Sequence, residues 1–206
     1  MNKKIIVILV VLIIVILIFM GIYPSFLKMG KNKEKEIKTF KVVKEIEGYD
    51  YKLKDNDPVI YKDIFNDLEM VLKAKPINEE EYAKCIAKLF IIDFYTLDNK
   101  TTKNEVGGVE FVHLSEVDDF IKKAQDTVYK YIENNIYGDR KQELPIVKII
   151  STKEVTKISY KYLNNTDNEA YQIKLAWEYV KDLDYQTEAT VILVHENNKI
   201  SVLEMK

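Results

Sequence analysis

The chain has 206 residues and a net charge of −2, with thirty Lys, one Arg (Arg140), two His and one Cys. Its first thirty residues hold 22 apolar side chains, three Lys and no acid, and the other 176 carry 28 basic residues against 33 acidic ones, a charge of −5. These figures exclude an internal disulfide, a thiolate-only metal site, the basic face of a nucleic-acid binder, and enough apolar mass for two comfortable domains.

Residues 5–23 read IIVILVVLIIVILIFMGIY, without a charge. As a helix they span about 28 Å, close to the hydrocarbon thickness of a bilayer. A cleaved signal would have a shorter apolar run ending at small residues, and Gly21-Ile-Tyr-Pro24-Ser lacks that pattern. The expected organisation is a tail at 1–4, a membrane anchor at 5–27 in contact with lipid, a charged stalk at 28–41 and one domain at 42–206. Lys residues flank both ends of the apolar run, Lys3 and Lys4 before it and Lys28 to Lys41 after it. Long domains translocate largely regardless of such charge. The expected localisation is therefore the cell membrane, single-pass, with the C-terminal domain outside.

From Phe40, Val42, Ile46, Tyr49, Tyr51 and Leu53 suggest an extended arm interrupted at Gly48. Asp57 and Pro58 predict the cap and first residue of a helix whose apolar stripe is Tyr61, Ile64, Phe65, Leu68, Val71 and Leu72. Asn78 predicts a second cap, followed by Glu79, Glu80 and Glu81 in the first turn, where acids favour the helix dipole. From Leu89 to Leu97 this helix is apolar nearly all round, so it should be buried on most sides. Ser115 with Asp118 resembles a capping box for a third helix running through Val117, Phe120, Ile121, Ala124, Val128 and Tyr131.

After Pro145 the period changes from 3.6 to 2. Ile158, Tyr160 and Tyr162 alternate with polar neighbours, as do Tyr171, Ile173, Leu175, Trp177 and Tyr179. Ala189 to Val194 and Ile200 to Met205 complete four strands with short connections, an antiparallel meander. The fold class is α+β: about three helices packed on a curved four-stranded antiparallel sheet.

Three helices before such a sheet resemble the cone-shaped fold of nuclear-transport-factor-2-like proteins, in which helices close the concave face. With the short tail, apolar run and stalk, the layout resembles the bitopic assembly components of bacterial type IV secretion and conjugation machines. That resemblance implies a protein partner and an assembly role.

The residues that could carry chemistry are few. Cys85 lies beside Ile86 with no local base, so it reads as a buried small hydrophobe. His113 and His195 are far apart, and no spacing joins them to carboxylates as a metal site. Gly107-Gly108 alone is a flexible loop rather than a phosphate cradle, and no familiar catalytic signature is present. Trp177 and Tyr179 either line a pocket or pack on the helices as core. Asp93, in Leu-Phe-Ile-Ile-Asp-Phe-Tyr, sits on the apolar stripe, where an unpaired carboxylate would cost several kcal/mol. The lone guanidinium, Arg140, is its expected partner, because a planar fork satisfies both carboxylate oxygens.

The function expected from these features is a non-enzymatic interaction or assembly module of the bacterial envelope, without metal or cofactor, compatible with a homo-oligomer. The alternative is a ligand-binding or hydrolytic cone with Asp93 in its pocket.

Overall fold

The computed structural model describes residues 37–206, which form one compact unit. Among them no helix is long and apolar enough to cross a membrane. This corrects the transmembrane reading for everything described. The run expected to span, at 5–27, lies outside the described residues together with its orientation.

The chain enters through a hairpin, β1 (Val42–Ile46) and β2 (Tyr51–Lys54), a two-stranded antiparallel sheet where the sequence suggested only an extended arm. Its turn takes Gly48 at φ 82° and Asp50 at φ 58°, a left-handed path that glycine and aspartate tolerate. Ile46, Tyr51 and Leu53 are buried and fasten the hairpin to the body. The segment before β1 is tied in as well: the Lys38 amide donates to the Ile136 carbonyl at 2.7 Å and the Lys41 amide to Asp55 Oδ1 at 3.2 Å.

Helix α1 (Val59–Lys73) buries Tyr61, Ile64, Phe65 and Leu68, the expected stripe. Its start differs from the sequence reading. Pro58 occupies the cap position, and Asp57 turns back to accept the Lys54 amide at 2.6 Å, closing the turn between β2 and the helix. Helix α2 (Glu79–Tyr95) is capped by Asn78, whose Oδ1 accepts the Glu81 amide at 3.2 Å. It is buried on nearly every side from Tyr82 onward.

Helix α3 (Val117–Asp126) is shorter than its periodicity implies, and the Ser115 capping box does not form. Instead, His113 Nδ1 accepts the Ser115 amide at 3.2 Å, and Ser115 Oγ donates to Glu116. The helix stops because Tyr129 is drawn inward. Its hydroxyl donates to the Phe94 carbonyl at 2.7 Å and accepts the Gly107 amide at 3.0 Å.

The remaining strands, β3 (Val147–Tyr162), β4 (Asn165–Tyr179), β5 (Glu188–Glu196) and β6 (Lys199–Met205), form an antiparallel meander in sequence order. The described residues are thus α+β, with three helices and a four-stranded antiparallel sheet. Tyr171, Ile173, Leu175 and Trp177 line one face and join the α2 side chains in a single core. Three register shifts bend β3, the edge strand, and Lys148 and Lys153 stand at two of them. Bulges and edge lysines of this kind block pairing with further strands.

The β3–β4 hairpin is longer than its neighbours, 16 and 15 residues against 9 and 7. Its tip therefore overhangs and folds onto β5 and β6. Tyr160 donates to Glu204 Oε2 at 2.6 Å, and Asp167 Oδ2 accepts the His195 amide at 2.7 Å.

Candidate functional site

Asp93 lies on α2 and is met by two donors. Lys100 Nζ approaches Oδ1 at 2.5 Å, and the Gly108 amide donates to Oδ2 at 2.6 Å. Burial alone would push this carboxyl up, but the Lys100 ammonium and these two hydrogen bonds outweigh it and hold the group below its ordinary value. Lys100 is only 3% exposed, so the pair is largely removed from water.

Arg140 is not the partner of Asp93. Its guanidinium donates to the carbonyls of Lys100 at 2.9 Å and Asp98 at 2.7 Å, with the Asp98 carboxylate at 3.5 Å. It fixes the turn that delivers Lys100. Asp98, Asn99 and Lys100 follow α2 and belong to the turn rather than to the helix. The helix ends earlier, at Tyr95, and the turn folds Lys100 back under it. Helical spacing does not signal this pairing, because Lys100 lies beyond the end of α2.

Gly107 and Gly108 are not a flexible loop but a buried one. A Cβ on Gly107 would stand 2.1 Å from the Asp93 carbonyl oxygen, and Gly108 holds φ 77° against the Phe90 ring. Only residues without Cβ let this turn present its amides to Asp93 and Tyr129.

Around this pair lie two further carboxylates that sequence reasoning did not connect. Glu110 Oε1 accepts the Tyr61 hydroxyl at 2.9 Å and Oε2 the Lys52 amide at 3.2 Å, while Asp57 holds the Lys54 amide. Among the described residues, no group of three His, Cys, Asp or Glu is placed to hold a metal ion.

Trp177 is 3% exposed and packs on Tyr95 with ring centroids 4.8 Å apart, so the sheet is filled by α2 at this point. Tyr179 donates to the Gln186 carbonyl at 2.5 Å, and burial pushes its hydroxyl up. Cys85 is buried, its thiol pushed up to about 11 chiefly by burial, which suppresses the thiolate needed for nucleophilic work. The two histidines, distant in sequence, meet carboxylates at the same end of β5. His195 Nδ1 lies 2.9 Å from Asp167 and His113 Nε2 3.7 Å from Glu196.

An open cleft of about 570 Å³ lies between α3, β6 and the overhanging hairpin tip. Phe90, Phe94 and Phe120 make its aromatic wall, with ring centroids 5.3 to 5.9 Å apart, and Leu203, Met205 and Leu163 line the other side. Asp93 is not among its lining residues. Leu163, at the tip, is 66% exposed and held at φ 49°, and Leu114 nearby in the chain's His113–Tyr162 ring contact region is 80% exposed. A bulky residue in the left-handed region costs about 1 kcal/mol or more, and such strain gathers at functional positions.

Compared with known proteins, the chain matches no family model, no curated protein and no solved structure.

Proposed function

We propose that residues 37–206 form a non-enzymatic interaction and assembly module that receives a protein partner in the cleft between α3 and the β3–β4 tip. The observation that carries this reading is Leu163. A turn position at φ 49° suits Asn or Gly, yet it holds a large apolar side chain turned to solvent at the mouth of a phenylalanine-lined cleft. The overhanging tip and the burial of α2 beneath the sheet also support reading this unit as a cone of the nuclear-transport-factor-2-like kind. The hydrolytic alternative loses its base: Asp93 faces Lys100 and Gly108 rather than the cleft.

A photo-crosslinking amino acid placed in turn at Leu163, Leu114 and Met70 tests the reading in cells that make the protein. Met70 serves as an equally exposed position on α1. The expected result is one common adduct from Leu163 and Leu114 and none from Met70. Equal adducts from all three positions, or none from Leu163, would overturn it.

A further inference from the structure

Among the described residues, strand β2 has β1 on one side only, and no strand covers its other edge. The amides that face that edge, two residues apart, are those of Lys52 and Lys54. Each is taken by a carboxylate instead of a neighbouring strand: Lys52 by Glu110 at 3.2 Å and Lys54 by Asp57 at 2.6 Å. The Tyr61 hydroxyl, 3.5 Å from the Lys52 carbonyl and 2.9 Å from Glu110, covers the oxygen between them. The hairpin is thus fastened to α1 and to the Gly108–Glu110 segment through two carboxylates.

The charges that bear most on these two carboxylates come from α2, the turn after it and β2. From α2 comes Asp93, and from the following turn Lys100, whose ammonium is taken by Asp93. From β2 comes Lys54, whose charge bears on all three carboxylates. Tyr61 faces from α1 and Tyr129 from the segment after α3, with Glu105 behind it. Three carboxylates therefore share two ammonium groups, and only Asp93 holds one directly. Burial, reinforced by the Asp93 charge, pushes Asp57 up to about 6 and Glu110 up to about 7. Glu110 turns one side to solvent, so water screens part of its burden. Asp57, 8% exposed, carries the larger share.

We propose that this carboxylate-sealed edge makes the β1–β2 hairpin a proton-controlled clasp, docked when Asp57 and Glu110 hold protons and loosened when both are ionised beside Asp93. The sign follows from linkage. In the docked hairpin both groups bind protons more tightly than they would in an opened one, so docking strengthens as pH falls from 8 towards 5. Ile46, Tyr51 and Leu53 keep the hairpin seated at higher pH, and the change is one of opening frequency rather than release.

Hydrogen exchange of the full chain, corrected for the intrinsic pH dependence of amide exchange, reads this directly. From pH 5.5 to 8, protection of residues 42–54 should fall roughly tenfold or more, as each tenfold difference in proton affinity adds one decade. Protection in β4 and β5 should hold steady. The variant Asp57→Asn with Glu110→Gln should keep the hairpin amides bonded and lose the pH dependence. Should that chain fail to fold, Glu110→Gln alone, at a position open to water, must still lower the slope. Protection of 42–54 that is flat across this range, or a slope unchanged in Glu110→Gln, overturns the proposal.

Discussion

Lys100 Nζ and Asp93 Oδ1 lie 2.5 Å apart, joining the last helical turns of α2 to the polar segment that follows. Lys100 is bound at both ends. Its ammonium meets Asp93, and its carbonyl is held by Arg140. Removing one member of a buried pair leaves the other charge uncompensated, which typically costs about 3–5 kcal/mol. Asp93→Ala and Lys100→Ala should each lose stability on that scale in urea denaturation, and the double variant should lose clearly less than their sum. Additive losses would show that the two groups do not act as a pair.

Arg140 makes its bonds to carbonyl oxygens, so its loss acts on the turn. Arg140→Ala should cost roughly 1.5–3 kcal/mol, because the carbonyls of Lys100 and Asp98 lose a charged donor. Arg140→Lys should recover little of that, since one ammonium cannot span the carbonyls of Asp98 and Lys100 in a fixed fork. Recovery of full stability in Arg140→Lys would contradict the geometry.

The glycine pair separates close packing from backbone freedom. Gly107→Ala places a Cβ 2.1 Å from the Asp93 carbonyl oxygen, 2.6 Å from its carbon and 2.9 Å from the Asp93 Cγ, and that carboxylate is itself held by Lys100 and the Gly108 amide. Overpacking of a rigid site costs about 3 kcal/mol or more. Gly138→Ala, at φ 72° with open space around it, should cost only about 1 kcal/mol. Thermal denaturation of the two variants side by side measures the difference, and equal losses would mean that the Gly107 turn can shift.

The helical stripes and the alternating strands were legible because each reports burial through a short, regular period. Tyr61 to Leu68 and Tyr171 to Trp177 lie where their spacing puts them. The third helix was overread past Asp126, because Val128 and Tyr131 continue a helical spacing while Tyr129 bonds Phe94 and pulls the chain away. The burden on Asp93 was legible from its apolar neighbours, but its partner was not. Periodicity carries no information about which way an irregular turn folds back, and the choice between Lys100 and Arg140 rests entirely on that turn. The sealing of β2 by Asp57 and Glu110 was likewise hidden, since it joins groups from two separate loops.

Acid should weaken the fold through Asp93. Its carboxyl is held below the ordinary value, so the stability it contributes is present above about pH 4 and lost as pH falls through its depressed value. The urea midpoint of the chain should therefore drop as pH falls below about 4. Asp93→Asn should be less stable at neutral pH, with Lys100 left unpaired, yet show a shallower acid limb. An acid limb as steep as that of the unmodified chain would assign the lost proton linkage to other carboxylates.

Leu163 offers a test in which stability and binding move in opposite directions. Its φ of 49° is unfavourable for a branched apolar side chain, and two-thirds of its surface meets water, so little packing offsets the strain. The turn it occupies, between Tyr162 and Asn165, is a two-residue hairpin connection, in which Asn and Gly are the favoured residues. Leu163→Asn should raise stability by about 0.5–1 kcal/mol, or leave it unchanged, in equilibrium unfolding. The same variant should weaken the adduct formed from a crosslinker at Leu114, because the cleft loses its exposed apolar rim. A residue serving only to close the hairpin would give the gain in stability with crosslinking intact, and that outcome would remove Leu163 from the interaction surface.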